Sequence, residues 1–182
     1  MQKSEGLQGT NMEHENDVES TKLSGRYDLE LRRANGEVEF FSDENLIVDE
    51  GLNSILNVQF NGSTQITTWY LGVFEGNYTP LADVDAATIT SASTESTAYD
   101  AATRVEWVEA ASTAKSITNS ASRASFVFNA TKTIYGAFLV SASAKSATSG
   151  TLFSAARFAT AKTVDSGDEL LLTYTVTSAS TV

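Results

Sequence analysis

Two acidic spacings are the places where residue types in this chain invite a chemical reading. Glu106 and Glu109 bracket Trp107-Val108 and suggest an acid/base pair, and Asp83-x-Asp85 offers oxygen ligands in a loop, as calcium sites do. Neither spacing completes a site. Residues three apart on a strand point to opposite faces, so the glutamates miss the first requirement of carboxylate-pair glycosidase chemistry. The aspartates lack the remaining positions of a calcium loop. His14 is the sole histidine and has no evident partner for acid–base work. With no cysteine and no second histidine, zinc binding, thiolate chemistry and disulfides drop out. No nucleophile elbow, phosphate-binding loop or dinucleotide glycine pattern occurs. The residues therefore predict a protein that is not an enzyme, with no catalytic residue, no cofactor, no metal and no small-molecule substrate.

The composition narrows the class further. The chain has 182 residues and a net charge of -11, with 12 basic and 23 acidic side chains. That length suits one domain with an extra segment. Residues 1–24 hold five acids against two bases, residues 25–115 fifteen against five, and residues 116–182 three against five. An acidic bulk disfavours nucleic acid, whose binding needs phosphate neutralisation. The mildly basic final third could face an acidic neighbour. No apolar run reaches the roughly 20 residues of a membrane span, and the N-terminus lacks the apolar core of a signal peptide. A soluble protein made in the cytoplasm, with no membrane partner, is expected.

The elements come from periodicity. Residues 1–24 are polar, with Leu7, Met12, Val18 and Leu23 at no steady period. Such a segment is expected to be an arm that orders on assembly. Tyr27, Leu29 and Leu31 alternate with charged residues, and Asn35-Gly36 predicts a type I′ hairpin into a strand over 37–41. The densest pattern follows in Asn45–Phe74: a strand at Leu46–Val48, Asp49 as a cap, and one short helix near 50–58. Leu52, Ile55 and Leu56 share a helical face and are expected to bury against a sheet. Asn61-Gly62 breaks the chain, and Thr67–Phe74 leaves as a strand with Trp69 and Tyr70 on opposite sides. Asn77–Asp100 reads as a loop and then an Ala/Ser/Thr-rich surface excursion, with Tyr78 and Tyr99 as contact residues. Strands resume at 104–108, 125–129, 134–140, 151–158 and 169–177, with a turn at 164–168. The fold class is mainly β: an antiparallel β-sandwich, immunoglobulin-like or jelly-roll-like, with residues 25–182 as its single domain.

The block GLNSILNVQFNGSTQITTWYLGVF (Gly51–Phe74) resembles a recurrent block in small virion proteins of tailed bacteriophages. NGEVEFFSDENLIVDEGLN before it, TIYGAFLV and VDSGDELLLTYTV extend the resemblance across about residues 25–176. It implies a structural protein of the virion, most of all a capsid decoration (cement) protein on the outer surface of the head. Its partners would be the major capsid protein and itself, as a homotrimer. A tail, baseplate or head-fibre component with receptor binding is the alternative. Under the decoration reading, contact is expected from the arm, through Leu7, Met12, Val18 and Leu23, and from the Tyr78–Tyr99 excursion. The Asn45–Phe74 stretch then serves as scaffold.

Overall fold

The structure, a computed structural model, describes residues 20–181. Two antiparallel sheets face one another. The first has β2 (Val38–Glu44) at its edge, then β1 (Ser20–Arg32) and β10 (Glu169–Thr181). On its other side β10 carries both β6 (Ser116–Thr118) and β7 (Ala124–Val127). The second sheet runs β3 (Leu46–Ile47), β9 (Leu152–Val164), β8 (Lys132–Val140), β4 (Tyr70–Phe74), β5 (Val105–Glu106). The expected β-sandwich is what the chain forms.

Alternation decides which faces meet. Tyr27, Leu29 and Leu31 of β1 pair with Tyr174, Leu172 and Leu170 of β10, and all six are buried between the sheets. The two tyrosine rings stack at 4.4 Å. Their hydroxyls need partners once desolvated: Tyr27 shares a hydrogen bond with Ser154 Oγ at 3.0 Å, and Asn45 Nδ2 donates to Tyr174 at 2.9 Å. Strand β1 begins at Ser20, opposite Thr181, so the domain starts before Gly25. The Asn35-Gly36 hairpin forms, but not as type I′, which needs positive φ at both central residues. Only Gly36 has it (φ 93°); Gly36 N–H donates to the Arg33 carbonyl, and the glycine follows the turn as a bulge.

The near-continuous apolar run of β8 reflects two cores. Ile134, Ala137 and Leu139 face the inter-sheet core, while Phe138 and Val140 face a second cluster on the other side of the sheet. An irregularity between Ile134 and Gly136 resets the alternation. The second cluster contains Val84, Ala86 and Ile89 from the segment expected to be a surface excursion. That expectation is corrected: the segment covers the outer face of the second sheet and includes a second helix, α2 (Ile89–Ser93).

Helix α1 (Asp49–Phe60) is where expected, with two differences. Asp49 is its first helical residue and makes no cap. Glu50 instead ties the helix down, its Oε2 accepting from Ala86 N–H at 2.9 Å and Leu152 N–H at 2.7 Å. The helix also presents another face to the sheet. Gly51 is its buried residue, and a Cβ there would lie 2.3 Å from the Phe153 carbonyl oxygen. The missing side chain lets the helix lie on β9 along its Gly51 face. Ile55 packs on the core, but Leu52 is left 38% exposed and Leu56 54%.

Candidate functional site

Rotation of α1 about Gly51 builds the most distinctive surface among the described residues. Leu52, Leu56 and Phe60 stand four apart, one turn above another at about 3.6 residues per turn. Phe60 is 81% exposed. The neighbouring face of the same helix, Ile55, Val58 and Gln59, borders an open cavity of about 350 Å³. Trp69, Trp107, Phe153, Ile117 and Val176 also line it. The indoles are held in place: Trp107 Nε1 donates to the Tyr174 carbonyl at 3.1 Å, and Trp69 packs edge-on to Phe153 at 5.6 Å. Ser54, Gln59 and Gln65 supply the polar atoms of the lining, and none of its residues is charged. An uncharged, largely apolar recess on the same helix as an apolar ridge can bind an apolar surface.

The residues assigned contact roles from sequence do not gather here. Leu7, Met12 and Val18 lie outside the described residues. Leu23 is in β1, opposite Ser178, and packs half-buried against the inter-sheet core, so its role as an arm residue is corrected. Tyr78 is half-buried on the second cluster. Tyr99 is 2% exposed, its ring meeting Phe126 edge-on at 5.0 Å, so it is a core residue and not a surface contact. Burial, followed by the nearby Glu95 carboxylate, pushes its hydroxyl pKa up.

Of the acids in these spacings, only Asp85 has a side-chain partner among the described residues. Glu106 sits on β5, and the N–H of Glu109 turns back to the Trp107 carbonyl. Asp85 accepts from the Thr88 hydroxyl at 2.7 Å and the Thr88 N–H at 2.9 Å, in the turn that leads into α2. The Thr88 hydroxyl holds its carboxyl below the usual range. Among the described residues no three acidic or histidine side chains converge as a cation site.

The strongest polar cluster was not foreseen. Arg104 makes a two-pronged ion pair with Glu95, both contacts at 2.8 Å, with the two side chains 0% and 1% exposed. The guanidinium also donates to the carbonyls of Ala142 and Ala147, and Ser146 N–H donates to Glu95 Oε2. Every one of these contacts is internal, and together they clamp the loop before β5 to the loop after β8. The basic final third is likewise spent within the chain: Arg123 pairs with Glu30, Lys132 with Glu75 and Lys162 with Glu39. Arg157 donates to Asn77, and Lys145 to the carbonyls of Thr97 and Tyr99.

No protein-family model matches the chain, and no curated protein matches it.

Proposed function

We propose that this chain is a non-enzymatic structural protein of a tailed-phage virion that decorates the outer capsid surface by binding the major capsid protein. One observation carries the reading. The Gly51–Phe74 block, which resembles small virion proteins, is also the stretch that supplies the exposed ridge and much of the recess: Leu52, Ile55, Leu56, Val58, Phe60, Ile66 and Trp69. A particle component needs a surface built for assembly, and contiguous exposed apolar area is what such surfaces use. A net charge of -11 keeps the remaining surface from associating at random. Imaging intact particles at subunit resolution tests the proposal. Density matching the two-sheet sandwich with α1 and α2 on the capsid faces is the expected result. The same density confined to the tail, the baseplate or a head fibre would overturn it.

A further inference from the structure

We infer that the outer edge of β2 docks an extended segment of a partner protein, with basic and apolar residues in alternation, as a further antiparallel strand of the first sheet. The ladder decides which backbone groups are free. Arg33 N–H donates to the Glu37 carbonyl at one end, and Asn45 N–H donates to the Gly25 carbonyl at the other. Between them Arg32 to Arg26 stand opposite Val38 to Glu44 in unbroken register. Antiparallel pairs alternate between bonded and non-bonded, so Val38, Phe40, Ser42 and Glu44 turn their N–H and C=O groups away from β1. None of those groups has a hydrogen-bond partner among the described residues. The strand is 7 residues long, and such a row of donors and acceptors is matched by the backbone of another extended chain.

The other edges are short or covered. Strands β3, β5, β6 and β7 are only 2, 2, 3 and 4 residues long. Where β9 runs on past β3, side chains meet its edge: Ala159 N–H donates to Asp43, and the Thr163 carbonyl accepts from Arg33. Lysine, proline and bulges ordinarily blunt an exposed edge. Strand β2 has no lysine, no proline and no break in register, and it leaves Val38 48% and Phe40 74% exposed.

Charge selects the occupant. Strand β2 holds three acids, Glu39, Asp43 and Glu44, with no base, and Glu37 precedes it. Arg33 and Lys162 neutralise Glu39, but Glu37 and Asp43 make no ion pair among the described residues. A second copy's β2 would set acids against acids, and like charges across a strand pair destabilise it. Residues of one parity share a face. A partner strand with basic residues beside Glu37 and Asp43 and apolar ones beside Val38 and Phe40 is therefore complementary on both faces. The edge is guarded against its own copy and open to a basic partner. It shares no residue with the α1 ridge or recess.

Hydrogen exchange read by nuclear magnetic resonance on the full-length protein tests this. The probe is a capped peptide of lysine and valine in alternation, about as long as β2. In the free protein the amides of Phe40, Ser42 and Glu44 should exchange about tenfold or more faster than those of Glu39, Phe41 and Asp43. Added peptide should slow the outward amides until the alternation disappears. The same peptide N-methylated at its valines keeps its charge but cannot donate to β2, and it should protect nothing. A peptide with glutamate in place of lysine should also fail. Phe40→Lys puts a guarding lysine at an exposed position; it should leave the melting temperature unchanged and weaken peptide binding about tenfold. Outward amides already protected in the free protein, or unprotected at every peptide concentration, would overturn the assignment. So would equal protection by the N-methylated or acidic peptide, binding indifferent to Phe40→Lys, or protection that grows with protein concentration alone, as pairing between copies would give. No readout involves a particle, so the docking edge and the decoration role fail separately.

Discussion

At the scale of single residues, Gly51 has the widest consequence. Glycine inside a helix ordinarily costs about 1 kcal/mol relative to alanine. Here the sign should reverse, because an added Cβ meets the backbone of Phe153, with its carbonyl oxygen at 2.3 Å and its Cα at 2.8 Å. Backbone on β9 cannot rotate away as a side chain would. Gly51→Ala should therefore destabilise the fold by about 1–3 kcal/mol, as overpacking does. Urea unfolding measures it, and a gain in stability would show that the helix rides higher on the sheet. Asp168 sets a pH dependence. Burial is the largest single influence on its carboxyl and pushes the pKa up, but N–H donors from Asp165 and Ala34 and the Arg33 guanidinium outweigh it and hold it low. A carboxylate with a depressed folded-state pKa contributes stability that is complete above its unfolded value, near about 4. That stability is lost as pH falls through the lower folded value. Asp168→Asn should be less stable than the parent at pH 7, and the gap should close below about pH 4. Thermal melts of both proteins across that range would reveal it.

At the scale of elements, the segment from Asn77 to Asp100 is the sharpest departure from expectation. Its Ala, Ser and Thr content hides any apolar period, and three of its residues, Val84, Ala86 and Ile89, do the covering. Small side chains between them let the chain lie close against β4, β8 and β9. If the segment were a surface excursion, truncating Ile89 would cost little. As a fully buried residue of the second core, Ile89→Ala should cost about 2–5 kcal/mol. Chemical denaturation distinguishes the two cases. Glu95 of the same segment forms the clamp with Arg104, and its sequence trace was slight: one acid and one arginine flanking a loop, each indistinguishable from a solvated charge until its environment is known. Strands β1, β7, β8 and β10, by contrast, were legible from alternation or continuous apolarity, because a strand's side chains sort by parity whatever it packs against.

At the scale of the whole molecule, the question is where the sandwich begins. Composition placed the boundary after Ser24, but Ser20–Ser24 pair with Thr181–Thr177 in the first sheet. Truncation through residue 24 should lower the melting temperature relative to truncation through residue 19, since it removes five pairs of the ladder and the packing of Leu23. Differential scanning calorimetry on the two proteins checks this, and equal melting temperatures would mean that the first turns of that ladder add no stability. Charge also reads differently over the whole fold. The basic final third looked like a surface for an acidic neighbour, yet its arginines and lysines are taken up by partners in the same chain.

The sequence by itself determined a mainly β chain, most of its strands, the position of α1 and the absence of thiol chemistry, because these depend on residue type and local period. It also marked Asn45–Phe74 as the distinctive stretch while assigning its helix to the scaffold. Only tertiary structure decided which face of that helix is covered. The apolar arc of α1 is wider than the strip the sheet hides, and the choice of strip rests on a clash that Gly51 avoids with the backbone of Phe153, a residue on a distant strand. Periodicity finds an apolar face; it cannot say how much of that face a second element will reach.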